Sequence, residues 1–205
     1  MELVTSWVPI ASTFSVLAPL FLLLSNFKRY DFEIKVLALY LSVGFLIDMA
    51  GWYFYSTKNS QAHYYLHHAY DLFEAIFLCW FLGRVAPYPR AKLFFIKAWI
   101  ILVPFWFMRF FYPDWIGWFK TSTQVLIAFA SCFFILRLVE KTEDISRNLT
   151  VWILLGIFFY CFSTYFILGM MMSVLAKAWF SHNLMNITTN LIYCIGFIRS
   201  KKATL

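Results

Sequence analysis

The stretch His63-Tyr-Tyr-Leu-His67-His68-Ala-Tyr-Asp71-Leu-Phe-Glu74, continuing as Ala-Ile-Phe-Leu-Cys79-Trp-Phe-Leu82, decides how this chain is read. It is long and apolar enough to cross a bilayer, yet it holds three of the chain's four histidines and two carboxylates. On a helix, positions 63, 67, 71 and 74 fall on one side. Ionisable groups at membrane depth are expensive, so they face a bundle interior, pair with one another and mark function. The remaining helices are expected to pack around this stripe.

Composition sets the same frame. Of 205 residues, 62% are hydrophobic, 22% aromatic and only 13% charged, and the mean hydropathy is +0.73. A soluble domain of this length needs far more polar surface, so the chain is expected to be an all-α polytopic membrane protein with one domain over residues 1–205. Seven apolar segments are predicted, at about 7–25, 34–55, 62–82, 92–111, 120–139, 150–171 and 178–198. Pro9 and Pro19 lie in the first and Pro104 in the fourth, where a membrane helix tolerates a kink. The start Met1-Glu-Leu-Val-Thr-Ser-Trp7 lacks the basic region of a cleaved signal peptide and reads as the approach to a retained span.

Basic residues fix the expected orientation. Twelve Lys and Arg fall in the segments after spans one, three, five and seven, among them Lys28, Arg84, Arg137 and Arg199. Four fall on the opposite side: Lys58, Arg109, Lys120 and Lys177. Cytoplasmic loops hold the excess, so seven spans are expected, with the N-terminus outside and the C-terminus cytoplasmic. The expected location is a bacterial inner (plasma) membrane. The basic pI near 9.3 is then a topological signal, and no nucleic acid is expected as a partner. Outer segments such as Tyr112-Pro113-Asp114-Trp115-Ile116-Gly117-Trp118, with Trp52 and Trp179 at helix ends, fit an aromatic interfacial belt. The dense run Arg137 to Arg147, which includes Glu140, Glu143 and Asp144, reads as a solvated cytoplasmic turn. The four cysteines sit within apolar segments with no CxxC spacing and read as free thiols.

With that orientation, depth below the outer face can be compared at a rise of about 1.5 Å per residue. His67, Asp71 and Glu74 fall at about 8, 13 and 18 Å, and His182, Asn186 and Asn190 at about 6, 12 and 18 Å. Asp48 of the second span lies at about 10 Å, and Ser163 and Thr164 of the sixth come to similar depth. The outer half therefore gathers polar groups while the inner half stays apolar. An outward-opening pocket bounded by spans two, three, six and seven is expected. Its candidate ligand- or proton-binding residues are Asp48, His67, His68, Asp71, Glu74, Ser163, His182, Asn186 and Asn190. Interhelical hydrogen-bond glue is an equally good account of Ser163, Thr164, Asn186 and Asn190.

Several chemistries use such residues. A metal-dependent lipid hydrolase needs imidazoles, a carboxylate and an open water position, for which His68, His182 and Asp71 are the metal candidates. Heptahelical hydrolases of the alkaline-ceramidase and adiponectin-receptor type carry HxxxH on the last helix, whereas His182-Asn-Leu-Met-Asn186 replaces the second histidine. Zinc, or haem b between spans three and seven, are the cofactors considered, and neither is expected. A retinal protein is excluded, because nothing from Ala178 to Ile198 can form a Schiff base. A transporter, pore or defence-system accessory is a further alternative, weakened by the lack of an internal repeat and by the apolar inner half.

The segments Leu17-Ala-Pro19-Leu, His68-x5-Glu74 and Gly156-Ile-Phe-Phe-Tyr160 accompany a longer one, Trp179-Phe-Ser-His182-Asn-Leu-Met-Asn186-Ile-Thr-Thr-Asn190-Leu-Ile-Tyr193-Cys-Ile-Gly196-Phe. Together they resemble a family of small seven-helix membrane proteins common in Bacteroidota. The resemblance implies importance for His68, Glu74, His182, Asn186 and Asn190, places the acidic residue of span two at Asp48, and implies no reaction. It favours His68, whereas helix geometry favours His67, as the histidine facing the pocket. The expected function is to bind or sense a small polar or amphiphilic ligand, or protons, and to relay this to a cytoplasmic partner protein through the basic inner face.

Overall fold

A computed structural model describes residues 2–112, 115–142, 144–170 and 175–202. Within them the chain is helical, without strands. The helices are α1 (Glu2–Ser15), α2 (Leu17–Ser25), α3 (Phe32–Ser56), α4 (Ser60–Val85), α5 (Pro89–Lys97), α6 (Trp99–Phe107), α7 (Trp115–Val139), α8 (Leu149–Met170) and α9 (Leu175–Lys202). Pro113, Asp114 and Glu143 lie outside the described residues, as do the side chains of Ile116, Lys177, Trp179, Lys201 and Lys202.

Two rods are interrupted by proline chemistry. Pro19 offers no N–H to Ser15 and its ring crowds that carbonyl, so α1 and α2 are separated at Val16, where Leu20 N–H bonds back to the Val16 carbonyl at 3.2 Å. Pro89 opens α5 at its first helical position, where no N–H is needed. The α5–α6 rod tightens at Ala98, whose N–H reaches the Phe95 carbonyl at 3.2 Å, and Pro104 lies inside α6. Between α3 and α4 the turn is three residues long. Lys58 takes a left-handed conformation (φ 55°) that stops α3. The Asn59 side chain then accepts from Ala62 N–H at 3.1 Å and starts α4.

Five helical stretches are long and apolar enough to cross a membrane: Trp7–Ser25, Phe32–Ser56, Pro89–Phe110, Gly117–Val139 and Leu149–Phe166. The outward faces are apolar throughout, with Phe21 72% and Phe129 71% exposed. Water does not tolerate so continuous an apolar surface on a monomer. Lipid does. The two remaining long helices, α4 and α9, fall short of that hydropathy because of their polar residues. Along α4 the buried run includes Glu74, Ala75, Phe77, Leu78, Cys79, Phe81 and Leu82.

Small residues set how closely the helices approach. Gly44 and Gly51 lie two turns apart on α3, and a Cβ at either would stand 3.1 Å from an α4 side chain: the Tyr70 hydroxyl or His67 Nε2. Gly156 of α8 receives the Tyr193 ring of α9, and Gly196 of α9 receives Trp152 of α8. This reciprocal exchange lets two backbones meet where larger residues would hold them apart. At the end away from the Lys58 turn, Arg84 pairs with Glu33 and fastens α4 to α3.

The fifth predicted span differs from what forms in a way that bears on the site. It begins at Trp115, five residues earlier than expected, so Lys120 lies more than a turn inside α7 and not in a loop. Aromatic Trp115 and Trp118 extend the helix to the interface without adding the charge that would mark a boundary.

Candidate functional site

Polar side chains from six of the seven rods meet in one cavity of about 150 Å³. It lies towards the end of the bundle that carries the Lys58 turn. From the first rod comes Ser12, and from α3 come Tyr40, Gly44, Phe45 and Asp48. The α4 helix adds His67, Tyr70 and Asp71, α7 adds Lys120, and α8 adds Ile157 and Tyr160. The α9 helix lends His182, Asn186, Thr189, Asn190 and Tyr193. The expected boundary of spans two, three, six and seven is thus incomplete, since the first and fifth rods also contribute.

At the centre is an ion pair the sequence reading missed. Lys120 Nζ donates to Asp71 Oδ1 at 2.9 Å, and His68 Nδ1 stands 3.5 Å from the other carboxylate oxygen. Asp71 therefore bridges α4 to α7 while one of its own helix neighbours braces it. A buried carboxylate between two nitrogen bases is what desolvation demands of a charge at this depth. The signal was present as a stripe on α7: Lys120, Thr123, Gln124 and Ser131 recur at helical spacing, and the last three are buried.

The two candidate histidines separate. His67 lines the cavity, with its Nε2 3.2 Å from His63 Nε2. One residue on is about 100° around a helix, and this turns His68 away from the cavity lining. Its ring packs edge-on to Tyr64, and its carbonyl accepts from Trp106 Nε1 at 2.9 Å. Arg109 stacks on Trp106 at 3.7 Å nearby.

Glu74 is 5% exposed and lies behind the cavity wall. Tyr40 Oη donates to its Oε1 at 2.9 Å, and it lines a much smaller void with Asp71, Lys120, Thr123 and Gln124. Neither amide atom of Gln124 has a hydrogen-bond partner among the described residues.

Asp48, His182 and Asn186 line the cavity and make no hydrogen bond or ion pair among the described residues. Asn190 differs: its Nδ2 donates to Ser15 Oγ at 2.7 Å, tying α9 to the kinked first rod. Thr164 is satisfied within α8, donating to the Tyr160 carbonyl at 2.8 Å. Ser163 is absent from the lining, because six residues of helix turn it about 120° from Ile157.

Comparison with known protein families, curated proteins and solved structures returned no match. The chemistry is therefore argued from the side chains. Among the described residues no three His, Cys, Asp or Glu come together as a metal site, and the proposed set His68, His182 and Asp71 is divided between the cavity and the α4 face outside its lining. The four cysteines are free, and Cys79 and Cys161 are buried. What the arrangement offers is an unpaired carboxylate, two imidazoles and a braced ion pair around a hydratable space. Such a site can bind a small guest or exchange protons.

Proposed function

We propose that this chain is a seven-span membrane protein, N-terminus outside and C-terminus cytoplasmic, whose cavity opens to the outer face and takes up a small polar or amphiphilic ligand or protons. The convergence of polar groups from six rods on one cavity carries this reading. Side chains acting only as glue would pair across helices, as Asn190 does with Ser15. Asp48, His182 and Asn186 instead face the space unpaired among the described residues.

The orientation rests on the twelve-to-four division of Lys and Arg. Withdrawing Lys120 from the outer set, because it pairs inside the bundle with Asp71, makes that asymmetry larger. Exposed Trp52, Tyr53, Tyr55, Tyr64, Tyr112 and Trp118 cluster around the same end, where an aromatic belt belongs. With the polar residues of α4 and α9 lining the cavity and Leu184, Leu191 and Ile195 of α9 facing outward, all seven rods cross. A bacterial inner membrane is the proposed location, and membership of the small seven-helix Bacteroidota group remains compatible with every motif quoted above. A change in the cavity's charge would alter how α4 packs on α7, which a cytoplasmic partner at the basic face can read.

Cysteine accessibility tests this reading. In a background with the four native cysteines replaced by serine, Asn186→Cys should react in oriented vesicles with an impermeant cationic methanethiosulfonate added on the outer side. Reaction only from the inner side, or none in either orientation, would refute an outward cavity.

A further inference from the structure

The unpaired carboxylate specifies what kind of guest the cavity accepts. Asp48 projects from α3 into the space and has no donor or cation among the described residues. Lys120, the one lysine on the wall among the described residues, is engaged by Asp71 at 2.9 Å. With imidazoles neutral, the lining therefore holds two carboxylates against one ammonium, and Glu74 adds a third carboxylate just behind. Aromatic rings form much of the remaining wall: Phe45, Tyr70, Tyr160 and Tyr193. A desolvated carboxylate beside aromatic faces attracts an organic cation twice, through its charge and through the ring quadrupoles. Volume narrows the choice further. A cavity of about 150 Å³ holds a guest of roughly benzene size.

We propose that the cavity is a binding site for a small organic ammonium ion, with Asp48 as its counter-ion and the surrounding aromatic rings as its walls. This rests on the outward-cavity reading above and names the ligand class for it. The imidazoles of His67 and His182 supply further polar contacts, and the Asp71–Lys120 pair stays intact because Asp48 takes the charge.

Three probes share one ring and differ in charge: benzylammonium, benzoate and benzyl alcohol. Their affinities for the full chain in detergent are measured by titration calorimetry at fixed pH. Benzylammonium should bind at least tenfold tighter than either other probe. Asp48→Asn should weaken it by about tenfold to a hundredfold, the range for losing a charge-assisted contact, and Asp48→Glu should retain part of the affinity. Because Asp48 has no partner to lose, Asp48→Asn is expected to melt no lower than the wild type, so a folding defect will not mimic the effect.

Equal or tighter binding of benzoate or benzyl alcohol overturns the proposal, as does benzylammonium binding that ignores Asp48→Asn. Failure of all three probes overturns it as well. Labelling of Asn186→Cys from outside combined with any of those results leaves the outward cavity standing and removes only the ammonium site. Absence of that labelling removes the cavity itself.

Discussion

Separating Asp71 from Lys120 tests the central geometry most directly. At 2.9 Å, unit charges with an effective dielectric near 20 attract by about 6 kcal/mol before desolvation is counted. Desolvation takes back most of that, so the pair's net worth is small, yet removing one partner strands the other at a cost of about 3–5 kcal/mol. The Lys120 side chain is 31% exposed to the cavity and Asp71 only 12%, so the cost should fall at the lower end, about 3 kcal/mol. The two single variants should not be equivalent. In Lys120→Met the carboxylate keeps His68 Nδ1 at 3.5 Å. In Asp71→Asn the ammonium loses its carboxylate acceptor, and Arg109, whose Nη1 is buried without a hydrogen-bond partner among the described residues, loses a nearby negative charge. Asp71→Asn should therefore be the more damaging change. The double variant Asp71→Asn/Lys120→Met removes both charges and should recover most of the loss, with a coupling of about 2 kcal/mol or more. Equilibrium unfolding in mixed micelles, with all four proteins at one pH, measures this. Additive single effects, with a coupling below about 0.5 kcal/mol, would show that the two side chains do not meet in the bundle.

Two further outcomes follow from contacts beside the cavity. Tyr40→Phe removes the hydroxyl that donates to Glu74 while keeping the ring stacked on Phe77 at 4.4 Å; leaving a buried acceptor short of its donor should lower stability by about 1–3 kcal/mol, read by the same unfolding assay. Gly156→Ala forces a methyl into the Tyr193 ring and should cost about 1–3 kcal/mol, a cost that should shrink in Tyr193→Ala, where the obstructing ring is gone.

The sequence made the helical class and most of the rods readable, because apolar runs of span length leave few alternatives and prolines mark the interruptions. Predicted and observed limits agree within about three residues for α3, α4, α8 and the start of α9. The error at α7 has a specific cause. Lys120 is a strong charge beside an aromatic run, and a charge at the edge of an apolar segment reads as the edge itself. Only its partner reveals that it belongs inside, and that partner lies 49 positions away on α4. Helix periodicity and the family resemblance pointed to different histidines, so the sequence left open which of the two faces the pocket; His67 lines the cavity and His68 does not. Tyr40, Tyr70 and Tyr160 were not singled out as site residues because among 25 Phe, 12 Tyr and 9 Trp no single hydroxyl stands out until a carboxylate is found beside it.

Glue and site residues are told apart by what each polar group does with its hydrogen-bonding capacity. A polar side chain that only ties helices together recovers the cost of leaving water through its partner, as Asn190 does on Ser15 and Thr164 on the Tyr160 carbonyl. Removing such a residue and its partner together is nearly neutral. A side chain that faces a cavity without a protein partner gains nothing of the kind from the fold, so packing gives no reason for its polarity. Asp48, His182 and Asn186 are in that position among the described residues, on two helices far apart in the chain. Helix α9 falls short of the hydropathy of a membrane span because it carries such groups. Helices α1, α2 and α8 pack against it, its outward positions Leu184, Leu191 and Ile195 are apolar, and the bundle thereby holds around one small space a set of residues that packing alone would not select.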